Sequence, residues 1–90
     1  MRVKGEVTKS DIRHGLRRND CACPLALSLR RRFSYVWVGR VSIIAIARNG
    51  RFYSVVTPSE IYRFIERFDN NLEVKPFKYE IDFRIKPKKK

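Results

Sequence analysis

The apolar positions of this chain change period along its length, and the changes mark out its elements. Residues 2–7 alternate weakly, as a short strand does. Thr8, followed by Asp11 three residues on, forms a capping pattern that opens a helix predicted to run to about Arg17. Asn19-Asp20 interrupts, and Pro24 then suits the first position of a second helix. From there Leu25, Leu29 and Phe33 recur every four residues, one helix face. Arg30, Arg31 and Arg32 close that helix, where cations suit the negative end of its dipole.

Tyr35 to Val38 reads as a strand rich in aromatic and β-branched residues. Val41–Arg48 and Arg51–Val56 flank Asn49-Gly50, a strong hairpin signal. A two-residue turn there predicts Arg48 opposite Arg51, Ala47 opposite Phe52, Ile46 opposite Tyr53 and Ile44 opposite Val55. Ile44, Ile46, Tyr53 and Val55 then line one face, and Ile43, Ala45, Phe52 and Val56 the other. Both faces are apolar, so both need cover: helices on one side, with a second subunit open for the other. Thr57-Pro58-Ser59-Glu60 predicts a third helix with Thr57 as its N-cap. Ile61, Phe64, Ile65 and Phe68 follow at amphipathic spacing, to about Asp69. Finally Tyr79, Ile81, Phe83 and Ile85 alternate with charged residues, as an outer strand does. The expected fold is α+β: a single compact domain over 1–85, a mixed or antiparallel sheet of four or five strands, and about three short helices. Residues 86–90 are expected to form a basic disordered tail.

Composition sharpens this picture. Ninety residues at 43% hydrophobic content suffice for one core, so a formal charge of +12 describes a folded basic protein and not a disordered one. No apolar run is long enough to span a bilayer, and the N-terminus lacks a signal-peptide h-region, so a cytoplasmic location and no membrane partner are expected. Between Ile12 and Val56 lie nine arginines, no lysine, and one acid, Asp20. Arginine in preference to lysine suits planar, bidentate phosphate or carboxylate groups.

The candidate phosphate-binding residues are Arg48, Arg51, Arg40, Arg30, Arg31, Arg32, Arg17 and Arg18. Arg48 and Arg51 stand out, because like charges placed opposite each other on a hairpin are mildly destabilising. Tyr35 and Trp37 share a strand face and are candidate stacking platforms beside the basic run, although a lone Trp in a small domain is usually core. His14, Cys21 and Cys23 invite a metal, but only Asp20 remains as a fourth ligand, and none is expected. Cys21 and Cys23 are too close in sequence for an unstrained disulfide, so free thiols are expected. Cys23, before a helix in a cationic stretch, is a candidate for a lowered thiol pKa, with His14 as its base. Glu73-Val-Lys75 matches only the end of a nuclease-type pattern, and no glycine-rich phosphate loop occurs. Neither enzymatic activity nor a cofactor is expected.

Cys23-Pro-Leu-Ala-Leu-Ser-Leu29, preceded by Asp11-Ile-Arg-His-Gly15, resembles a group of small uncharacterised phage and prophage proteins. Members carry a Cys-Pro-x-Ala-Leu-x-Leu helix, a later proline, Phe-Ile-x-x-Phe-Asp, and a Pro-Phe strand, matched here by Pro58, Phe64–Asp69 and Pro76-Phe77. The likeness covers about 11–85 and rests on core and turn residues. It implies a shared fold and a viral or mobile-element origin, and transfers no catalytic residue. The arginine load is this chain's own departure. Three partner classes stay open: DNA or RNA bound through the arginines, an acidic host defence protein inhibited by contact, and a small nucleotide signal held in an arginine-lined dimer pocket.

Overall fold

The computed structural model describes residues 1–85. The basic tail proposed for 86–90 lies outside the described residues. Six strands and three helices follow in the order β1 (Arg2–Val7), α1 (Lys9–His14), α2 (Pro24–Leu29), β2 (Tyr35–Val38), β3 (Ser42–Ile46), β4 (Phe52–Val56), α3 (Ser59–Asp69), β5 (Phe77–Asp82) and β6 (Arg84–Ile85). The fold is α+β, as the pattern predicts.

The strands make two antiparallel sheets where one was expected, β1-β5 and β2-β3-β4-β6. The alternating segment 77–85 belongs to both. Its first part pairs with β1, and after Phe83 its last two residues pair with β4. Phe83 sits at the switch, fully buried, with its backbone N–H on the Met1 carbonyl at 2.8 Å. Its ring meets Phe33 edge-on at 5.4 Å, and Phe33 also contacts Tyr53 at 6.1 Å. The exit of α2 is thereby tied to both sheets. Leu25, Leu29 and Phe33 are all buried, as the four-residue spacing requires.

On the β1-β5 sheet, Val3 and Val7 face the core beside Ile81 and Phe77. Gly5 lies between them because the Tyr79 ring occupies the space. A Cβ at Gly5 would come within 2.4 Å of the Tyr79 hydroxyl. That hydroxyl pairs with Ser28 Oγ at 2.6 Å, and Ser28 Oγ donates to the Glu6 carbonyl at 2.7 Å.

Two helix boundaries differ from expectation. The α1 capping box forms as predicted, but the helix ends at His14 instead of Arg17. Gly15 caps it against Pro24, whose ring leaves no room for a Cβ there. In α3 the N-cap is Pro58, not Thr57. Thr57 Oγ1 instead donates to the Gly39 carbonyl at 2.8 Å, fastening α3 to the β2–β3 turn. A buried tertiary acceptor outcompetes the local cap. The apolar face of α3 is as predicted: Ile61, Phe64, Ile65 and Phe68 are buried.

Candidate nucleic-acid interface

The hairpin joining β3 and β4 has a three-residue loop, and this changes what its tip means. Gly50 N–H donates to the Ala47 carbonyl and Ala47 N–H to the Arg51 carbonyl, both at 2.9 Å. The two-residue turn expected at Asn49-Gly50 needs positive φ at both positions, but only Gly50 has it, at +88°. Asn49 instead caps the loop, its Oδ1 accepting from Arg51 N–H at 3.0 Å. The register therefore moves by one residue. Ile46 faces Phe52, Ala45 faces Tyr53, Ile44 faces Ser54 and Ile43 faces Val55. Arg51 falls opposite Ala47, and Arg48 stands in the loop. The predicted like-charge pair does not exist.

The same shift redraws the two faces of the sheet. Val36-Ala45-Tyr53 and Val38-Ile43-Val55 are cross-strand rows facing the core. The opposite face carries the row Tyr35-Ile46-Phe52 and, two residues along, Trp37-Ile44-Ser54-Arg84. No element covers this outer face among the described residues. Tyr35 is 44% exposed and Phe52 47%, while Trp37, Ile44 and Ile46 are half-buried. The lone Trp is thus on the outer face and not in the core. Its six-membered ring lies over Gly39, where a Cβ would meet it at 2.4 Å.

At the β2 edge the Tyr35 hydroxyl lies 3.7 Å from Cys21 Sγ. That contact, with a smaller contribution from desolvation, holds the phenol above its ordinary pKa. Val38 N–H donates to the Asp20 carbonyl at 2.8 Å, so the 16–23 loop partly closes this edge.

The sequence-predicted arginines separate into groups. Arg31 is structural: its guanidinium reaches Asp11 Oδ1 at 2.6 Å, and Asp11 is buried. Arg17 hydrogen-bonds Asn71 Oδ1 and lies over the Phe68 ring at 5.5 Å. Arg18 takes a positive φ of 57°, its backbone N–H held by Asp69 at 2.8 Å. Both belong to the C-terminal end of α3. Arg40 sits in the β2–β3 turn, about 17 Å along the strand from Tyr35 at ~3.3 Å per residue. It is at the far end of the sheet from Arg48 and Arg51.

The turn bearing Arg30 and Arg32 enters β2 at the hairpin-tip end of the sheet, although the Arg32 side chain itself lines a cleft with Lys4, Ser28 and Tyr79. Ser34 N–H donates to the Ile46 carbonyl at 2.9 Å, and Ser34 Oγ bonds the same carbonyl at 3.0 Å. The turn carrying these arginines therefore abuts the residues leading into Arg48 and Arg51. Arg30, Arg32, Arg48 and Arg51 are all exposed, and among the described residues none has a carboxylate within ion-pairing distance.

Sequence reasoning missed Phe52 and Arg84 as members of this surface. Alternation within 77–85 already set Arg84 opposite the buried residues. Phe52 was hidden by the register error, which grouped it with Ile43 and Ala45.

Cys23 corrects a chemical expectation. Burial pushes its thiol up to about 11, overriding the lowering influence of the Ala26 and Leu25 N–H groups. It is not a poised nucleophile at neutral pH. His14 is exposed and bonded through Nδ1 to the Ser10 carbonyl at 2.9 Å, within its own helix. Both cysteines are free, and no three His, Cys, Asp or Glu side chains cluster among the described residues. No described helix is long and apolar enough to cross a membrane.

Two clefts of about 490 Å³ lie elsewhere. One, between α3 and residues 73–77, has Phe64, Val74 and Phe77 among its lining. The other is lined by Lys4, Arg32, Ser28 and Tyr79, with Arg31 already committed to Asp11. Comparison with family models, curated proteins and solved structures returns no match to this chain.

Proposed function

We propose that this protein binds nucleic acid through phosphate contacts made by arginines around its four-stranded sheet, and that it is not an enzyme. One observation carries the reading: the loop bearing Arg48 and Arg51 abuts the turn that follows Arg30 and Arg32, and all four arginines are exposed and without an ion-pair partner among the described residues. In a chain of formal charge +12, exposed guanidinium groups without acidic partners repel one another until an anion neutralises them. The rigid fork of arginine matches phosphate oxygens two at a time. The resemblance to phage proteins would place this activity in a host cytoplasm, where masking a nucleic acid from a defence effector is one use for it.

The test is a salt titration of binding to a labelled oligonucleotide. Each phosphate neutralised contributes a log–log slope of about −0.9 on duplex and about −0.7 on a single strand. Four contacts predict a total near −3 to −4. The pair Arg48→Ala and Arg51→Ala should flatten the slope by roughly 1.5 and weaken all sequences alike. A salt-independent affinity, or no binding in ~50 mM salt, refutes the reading. Capture of a host protein that survives nuclease treatment, with no oligonucleotide bound, would assign the arginines to a protein partner instead.

A further inference from the structure

The outer sheet face offers more than charge, and it discriminates between forms of nucleic acid. Resting on the nucleic-acid reading, we infer that the ligand is single-stranded and that its bases stack on Tyr35, Trp37 and Phe52.

The geometry argues against a stacked helix. Tyr35 and Trp37 are two residues apart on one strand, so their rings are rooted about 7 Å apart. Bases within a duplex strand rise by only ~3.4 Å. The rings therefore match bases that have been pulled out of stack, one per aromatic, as in sheet-based recognition of single strands. Phe52 lies two strands across from Tyr35 in the same row, about 9.6 Å away, with Ile46 between them. The platform is thus an apolar floor edged by three aromatic rings. Gly39 backs the Trp37 ring, which is half-buried on this outer face.

The surround of this floor is cationic. Arg48 and Arg51 stand at one end, Arg40 at the other, and Arg84 shares the outer row with Trp37. An extended polyanion with flat apolar bases satisfies both parts at once. A second copy of this chain would satisfy only the apolar part. Pairing two such faces brings both arginine sets together, so like-charge repulsion opposes the apolar burial.

The experiment compares a poly-pyrimidine single strand with a duplex of equal length, reading Trp37 emission and affinity at one low salt. Trp37 is the only tryptophan, so the signal reports this face alone. Saturating single strand should quench it, and the single strand should bind more tightly than the duplex. The double variant Tyr35→Leu, Phe52→Leu should lose at least about tenfold in single-strand affinity. Its duplex affinity should change by less than about twofold, since its arginines are untouched. A cooperative thermal unfolding transition in the leucine variant, together with its retained duplex affinity, separates loss of the rings from loss of the fold.

Duplex bound as tightly as single strand, with Trp37 emission unchanged, overturns the inference while leaving the nucleic-acid reading intact. Absence of binding to either overturns both. A native dimer that becomes monomeric in the leucine variant would show that a second copy covers the face, and the inference fails there too.

Discussion

Arg31→Ala should destabilise the protein by about 2 kcal/mol, whereas Arg48→Ala and Arg51→Ala should each cost less than about 0.5 kcal/mol. The difference follows from where each guanidinium goes. Arg31 donates to Asp11 Oδ1 at 2.6 Å, and Asp11 Oδ2 accepts the Thr8 N–H at 2.9 Å as half of the α1 capping box. The Asp11 side chain is only 5% exposed, so removing its cation leaves a largely desolvated carboxylate with its cap contact alone. A hydrogen bond to a charged group contributes ~1.5–3 kcal/mol. The Arg31 side chain is 53% exposed, and water screening there keeps the expected loss near the lower half of that range. The melting temperature of a domain this size should then fall by roughly 10 °C. Urea unfolding of Arg31→Ala, Asp11→Asn and the double variant closes a cycle, with a coupling energy of about 1–2 kcal/mol expected. A coupling below about 0.5 kcal/mol would show that Arg31 is as free as the tip arginines. Arg31 would then return to the candidate phosphate ligands.

Cys23 should resist alkylation at pH 8 in the folded protein, giving one fast thiol from half-exposed Cys21 and a second only after unfolding; two fast thiols would contradict its burial. Because its folded pKa, about 11, lies above the ordinary value of 9.0, the folded state holds the thiol proton more tightly. The stability this supplies is complete below pH ~9 and is lost as pH rises to about 11, so Cys23→Ala should unfold less steeply over that window than the parent. Tyr79, also raised by burial, keeps its own share of the slope in both proteins. Gly50→Ala should cost about 1–2 kcal/mol in urea unfolding, since the loop holds Gly50 at φ +88° with open space around it. A neutral substitution there would argue for a different turn.

The fold was legible wherever burial and local chemistry agree. The four-residue spacing of Leu25, Leu29 and Phe33, the amphipathic α3 and the alternation over 77–83 each put one apolar face against the core, whereas Ile85, which continues that alternation, is 57% exposed. Asn49-Gly50 between two apolar segments predicts a hairpin, but the dipeptide supports two loops differing by one residue. Choosing between them depends on whether Asn49 adopts positive φ, which the surrounding packing decides. Both faces of β3 and β4 are apolar, so the hydrophobic pattern gave no vote on register. A tertiary contact also decided Thr57, whose hydroxyl has a buried acceptor in Gly39 that no local motif reveals.

The one-residue slip matters more for function than for fold. In a two-residue register the tip arginines would be strained cross-strand partners. In the observed one, Arg51 faces Ala47 and no like-charge pair forms. What sets the tip apart is position: the loop abuts the turn bearing Arg30 and Arg32, and the shift carries Phe52 onto the face of Tyr35 and Trp37. An apolar surface alone would favour self-association. Arginines around that surface oppose self-association and favour an anion with apolar planes, so the charge and the exposed rings together specify a ligand that neither specifies alone.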